Sequence, residues 1–205
     1  HARIEPAPGR GGDGDARTRD RHRQEGRVHE IGKALGLAHD ALGAQERAIA
    51  RCVAGAEWTA LHLMTAVDLA EGLVSLDIMR GNAESLVEQE AHTLFFPHGL
   101  GHMVGLGVRD ASGVIPGRIK DERPSLRTLR MDLPLAAGYV VTIEPGLYFI
   151  PPLLNDPKRR ARYRDQVNWS HVEQYLGLGG VRIEDNVLVT SDVPENLTAA
   201  IPKTL

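Results

Sequence analysis

An abrupt change of side-chain character near residue 40 decides how much of this chain can form a core. Up to Glu30 the only large aliphatic residues are Ile4 and Val28. Around them lie Arg3, Arg10, Arg17, Arg19, Arg21, Arg23 and Arg27, with Gly9, Gly11, Gly12 and Gly14. Such a stretch cannot bury enough apolar surface to offset the entropy lost on ordering it. Residues 1–38 are therefore expected to be a poorly ordered segment, and residues 39–205 a folded domain. A basic tail that touches nucleic acid is the other reading, but Asp13, Asp15, Asp20 and Glu25 dilute its charge.

The whole chain carries 24 Lys+Arg against 27 Asp+Glu, a formal charge of −3, so no basic field invites nucleic acid. The single cysteine, Cys52, excludes an internal disulfide framework and a CxxC metal site, which suits a cytoplasmic protein. No apolar run approaches the roughly 20 residues of a membrane span. The chain begins at His1 with no charged-then-apolar region, so it is expected to be neither a natural start nor a secretory leader.

Beyond Asp40 the pattern is that of a folded protein. Residues 41–53 read as a helix, with Asp40 as N-cap and Gly55 as stop. Residues 58–77 read as a second helix, in which Leu61, Met64, Thr65, Leu69, Leu73 and Leu76 repeat near the helical period. Trp58 and Met64 are expected to pack in the core. Asn82 or Ser85 caps a third helix toward Leu94. Residues 139–144 and 181–190 alternate like strands between glycine and proline signals. Helices first and strands later predict an α+β fold with helices on an antiparallel sheet.

Three polar points stand out. Pro97-His98-Gly99-Leu100-Gly101-His102 places two imidazoles on a glycine-rich turn, where backbone can approach a ligand or a metal closely. Hydrogen-bonded loop histidines are the plain alternative. Residues 99–107 resemble a phosphate loop only superficially, since the GK[ST] ending and the preceding strand are absent. The other two points are Glu144, in Thr142-Ile143-Glu144-Pro145-Gly146, and Glu184, in Val181-Arg182-Ile183-Glu184-Asp185-Asn186. A carboxylate in an apolar strand is costly unless paired or metal-bound. A solvated strand end for Glu144 and an arginine partner for Glu184 are the alternatives. Together with His102 they would make a hard site suited to Mn²⁺, Co²⁺ or Zn²⁺.

The segments PHGLGH at 97–102, TIEPGLYFI at 142–150 and GGVRIEDN at 179–186 resemble the pita-bread metallopeptidases (family M24), and within them the Xaa-Pro dipeptidases, or prolidases. Ala44-Gln45-Glu46 and Leu94-Phe95-Phe96 fit the same resemblance. It implies a pita-bread (creatinase/aminopeptidase-like) domain, truncated on its N-terminal side. The implied activity is hydrolysis of Xaa-Pro dipeptides by water activated between two divalent metals, Mn²⁺ foremost and Co²⁺ or Zn²⁺ otherwise. The implied partner is a small proline-containing peptide, and a homodimer is compatible with family habit.

On matching positions the resemblance makes His102, Glu144 and Glu184 metal ligands. Glu144 would also shuttle a proton, and Glu184 would bridge both ions. His98 would donate to the substrate or to the oxyanion, and Arg182 would orient Glu184. Arg127, in Ser125-Leu126-Arg127-Thr128, would grip the free carboxylate of a dipeptide, which favours dipeptidase over Xaa-Pro aminopeptidase. Arg109 stands where the family usually carries a histidine; it cannot act as a base but could hydrogen-bond a substrate carbonyl or carboxylate. The family's two metal-binding aspartates have no recognisable counterpart. Asp15 and Asp20 lie nearest in spacing, in sequence that is not strand-like. A catalytically silent pita-bread module that binds peptides or proteins is therefore the competing reading.

Overall fold

The computed structural model describes residues 13–110, 112–119 and 121–203, with side chains from Ile31 onward. The chain divides after Lys33, and the folded unit considered below is residues 34–205.

Helix α1 spans Asp13–Ala50. It starts well before the expected cap, so Asp40 is an interior residue, and residues 13–38 are helical rather than irregular. Residues 1–12 lie outside the described residues. Composition misled because Arg, Ala, Gln and Glu favour helix whether or not they bury anything. The buried face begins at Leu37 and continues through Ala41, Ala44 and Ala48, a helical spacing.

Helix α2 spans Trp58–Ser75 and buries Trp58, Leu61, Thr65, Leu69 and Leu73 along one stripe. Met64 is 43% exposed, so it does not take the core position expected of it. Helix α3, Ala83–Glu88, is capped by Asn82, whose Oδ1 accepts from the Ser85 N–H at 3.0 Å. Glu90, in the left-handed region at φ 64°, then turns the chain into a 3-10 turn over Ala91–Leu94.

Strand β1 (Gly113–Val114) pairs in parallel with β2 (Met131–Asp132), with α4 (Pro124–Arg127) between them in sequence. Strand β3 (Val140–Ile143) and β4 (Gly146–Tyr148) are followed by short helices α5 (Pro151–Leu154), α6 (Pro157–Arg162) and α7 (Trp169–Val172). Strands β5 (Gly180–Arg182), β6 (Asp185–Leu188) and β7 (Glu195–Asn196) complete the unit.

The pairing of these strands builds the site. β3 runs antiparallel to β6, with Ile143 opposite Asp185, and β6 pairs with β7. β4 runs antiparallel to β5, with Gly146 opposite Arg182. The stretch 181–190 is thus two strands rather than one, interrupted at Ile183 and Glu184. Its partner breaks at Glu144 and Pro145, since proline has no N–H for the ladder. Ile183 N–H still reaches the Pro145 carbonyl at 3.3 Å. Both glutamates sit at this shared interruption.

Two apolar clusters flank it. One gathers Leu69, Leu73, Phe95, Phe96, Leu147, Phe149 and Tyr175; the other gathers Trp58, Leu100, Leu129, Val141, Ile143 and Val187. Each large buried side chain contributes about 1.5–3 kcal/mol, so the strands that carry the polar residues are anchored from both directions. Buried Gln45 ties α1 to the end of β3, donating from Nε2 to the Ile143 carbonyl at 3.2 Å. No helix among the described residues is long and apolar enough to cross a membrane.

Candidate metal centre

The segment before and through His102 lies along β3 as an added rung. Glu144 N–H donates to Leu100 O at 2.8 Å, Thr142 N–H to His102 O at 2.8 Å, and Val104 N–H to Val140 O at 2.9 Å. This approach needs glycine. A Cβ on Gly101 would overlap the Thr142 carbonyl, and one on Gly99 would press on Leu129. The glycine-rich motif is not a helix, as its glycines implied, but it runs extended along β3 rather than as the turn expected.

That rung brings three expected ligands together. One donor atom each from His102, Glu144 and Glu184 lies within 4.8 Å of the others. His102 and Glu144 are buried, whereas Glu184 is exposed. His102 Nδ1 is 2.9 Å from the Met103 carbonyl, and a carbonyl only accepts, so this nitrogen carries the proton. His102 Nε2, the ring nitrogen left for a ligand, faces Glu144 Oε1 3.5 Å away. One imidazole nitrogen with two carboxylates beside it forms a mixed nitrogen–oxygen donor set that fits a divalent cation. Among the described residues no further His, Cys, Asp or Glu joins this group.

The donors are held from outside. The Thr142 hydroxyl accepts the His102 N–H at 3.0 Å and donates to Glu144 Oε1 at 3.2 Å. Arg182 lies 3.5 Å from Glu144 Oε2 and 3.5 Å from Glu184 Oε2. It thus holds both carboxylates and not Glu184 alone, because β5 presents it across from Gly146.

His98 stands beside the group in a different state from that expected. Its Nδ1 is 2.8 Å from the Gly99 carbonyl and must donate there, so neutral Nε2 accepts from the Tyr148 hydroxyl at 3.0 Å. Burial lowers its pKa, opposed by the Gly99 carbonyl and Glu144. Tyr148, its hydroxyl also bonded by Arg182 and its pKa raised mainly by burial, links His98 to the carboxylates. The segment 142–150 contained this tyrosine, but nothing local marked it.

A cavity of about 340 Å³ opens in front, lined by His98, Gly101, Arg109, Thr128, Arg130, Glu144 and Arg182 among others. Arg127 does not join them. Burial of Leu126 and Leu129 sets the facing of this turn, and Arg127 is left exposed at the end of α4 while Arg130 reaches the cavity. The turn is fastened by Glu90, whose buried carboxylate accepts from Ser125 N–H at 2.7 Å and Ser125 Oγ at 2.8 Å. Sequence reasoning missed Glu90, which looks no different from its exposed neighbours Glu84 and Glu88. The side chains of Asp15 and Asp20 lie outside those described.

The model of metallopeptidase family M24 matches residues 27–191 of the chain. An Xaa-Pro dipeptidase of Shewanella woodyi is 44% identical over 160 residues, covering 75% of this chain and 36% of the relative. A probable Xaa-Pro aminopeptidase pepP of Botryotinia fuckeliana is 40% identical over 164 residues, covering 78% and 34%. Zinc-substituted E. coli aminopeptidase P in complex with product is similar in structure, with a TM-score of 0.60 and 30% identity, over 82% of this chain and 31% of that one. The aminopeptidase PepP of Pseudomonas aeruginosa gives a TM-score of 0.58 at 29% identity, over 83% and 32%. The chain spans about a third of the length of these relatives.

Proposed function

The chain belongs to metallopeptidase family M24, and from that premise we propose that it carries the metal-binding and carboxylate-recognising part of an Xaa-Pro dipeptidase. The observation that carries this reading is the meeting of His102 Nε2 with two carboxylates beside a cavity that Arg130 lines. His102, Glu144 and Glu184 would hold a divalent ion, with Mn²⁺ preferred to Co²⁺ or Zn²⁺, and a second ion would need further ligands. Such an ion, when bound, supplies Lewis acidity toward a carbonyl and makes water more acidic. Glu144 is the proton carrier: its carboxylate takes a proton from the attacking water and returns it to the prolyl nitrogen, a poor leaving group until protonated. Thr142 and Arg182 hold that carboxylate in place. Arg130 takes the free carboxylate of the dipeptide, the role first assigned to Arg127, and this feature favours dipeptidase over aminopeptidase. A lone buried thiol suits a reducing compartment, so the reading places the protein in the cytoplasm.

Proline release from Gly-Pro with added Mn²⁺ tests this directly. The expected result is turnover that Glu184→Gln abolishes. A second reading, a silent peptide-binding module, is favoured by the fact that only three donors converge among the described residues. Peptide binding without turnover at any Mn²⁺ concentration would establish it instead.

A further inference from the structure

Of the three guanidinium groups lining the cavity, one is engaged by the described residues and two are not. Arg182 is taken by Glu144 and Glu184. The side chains of Arg109 and Arg130 line the same space and have no partner among the described residues. Asp110, next to Arg109, turns its carboxylate against Gly105. His98 is neutral and brings no negative charge. Glu144, the one acid in the lining, already faces Arg182 and the metal donors.

Arg109 and Arg130 are exposed and solvated, but both line one small cavity, and a ligand entering it with matching negative charge would be favoured over a neutral one. One carboxylate leaves one of them unanswered. We propose that the cavity is built for a dipeptide bearing two carboxylates, an acidic residue followed by proline. The α-carboxylate would sit at Arg130 and the side-chain carboxylate at Arg109, each in the planar two-pronged pairing that guanidinium favours. This inference rests on the Xaa-Pro dipeptidase reading and adds its substrate class.

Titration calorimetry of Glu-Pro, Ala-Pro and Lys-Pro into the full chain tests it, with released proline measured in the same samples. Glu-Pro is expected to bind about tenfold tighter than Ala-Pro, and Lys-Pro more weakly than either. The preference should shrink as salt rises from about 50 mM to about 500 mM. Arg109→Gln should bring the Glu-Pro to Ala-Pro ratio near unity, while Arg109→Lys should retain most of it. Equal affinities in the unaltered chain, or a preference that survives Arg109→Gln, would overturn the inference and leave the dipeptidase reading standing. Neither binding nor proline release with any of the three peptides would remove that reading, and the inference with it.

Discussion

Gly101 and Thr142 pack so closely that one Cβ on the glycine would overlap the threonine's carbonyl oxygen and crowd its hydroxyl. The same hydroxyl holds the His102 N–H and Glu144 Oε1. The spacing of two candidate metal donors is therefore tied to the close approach of Gly101, which directly precedes one of them.

Gly101→Ala should cost about 3 kcal/mol, the upper range for forcing extra volume into a packed site. It should also weaken Mn²⁺ binding, because the rung carrying His102 must move off β3. Thermal melting and Mn²⁺ titration check this; unchanged affinity in a folded variant would show that the close approach does not set the donor spacing.

Thr142→Val keeps shape but removes the bridge between His102 and Glu144. It leaves a buried N–H unsatisfied, at about 1–3 kcal/mol. Losing such an orienting partner should lower Mn²⁺ affinity about 10- to 100-fold. Metal content after dialysis, compared with Thr142→Ser, reads the effect; serine should restore most of it.

Glu90→Gln should separate substrate recognition from metal binding. The two bonds to Ser125 lose their charge assistance, the amide oxygen accepting from Ser125 N–H and the amide NH2 donating to Ser125 Oγ, which loosens the turn ahead of Arg130. Dipeptide affinity should fall severalfold while Mn²⁺ affinity stays near that of the unaltered chain. Parallel losses in both would mean that Glu90 supports the fold in general.

His62 and His92 should make the fold acid-sensitive. Burial, foremost, lowers the pKa of His62 from 6.5 to about 3, and that of His92 to about 4. The unfolded chain protonates both near 6.5, so the folded state binds fewer protons below that pH. Their contribution is whole above about pH 6.5 and is lost as pH falls toward 3–4. The loss is about 2 kcal/mol per histidine between pH 6.5 and 5. Urea unfolding at several pH values measures the slope, and His62→Leu should flatten it; an unchanged slope would assign the acid sensitivity elsewhere.

The three residues that meet in the candidate metal centre stood out in the chain because each breaks a local rule. His102 follows a glycine that a regular strand would not need, and Glu144 and Glu184 are acids inside apolar strand patterns. The stripe of α2, apart from Met64, and the Asn82 cap of α3 were also legible, since propensity and period act over a few residues. The start of α1 was not, because its first residues favour helix without burying a face.

Residue order along the chain thus determined which groups could meet a metal, and the α+β class that would carry them. Only the tertiary structure decided that β5 and β6 part at Glu184 where β3 and β4 part at Glu144. It alone chose Arg130 over Arg127, made His98 an acceptor, and placed Glu90 under Ser125. Each of those outcomes depends on partners between 35 and 50 residues apart or on which leucines reach the core. Local sequence carries no record of such distances, and packing supplies them.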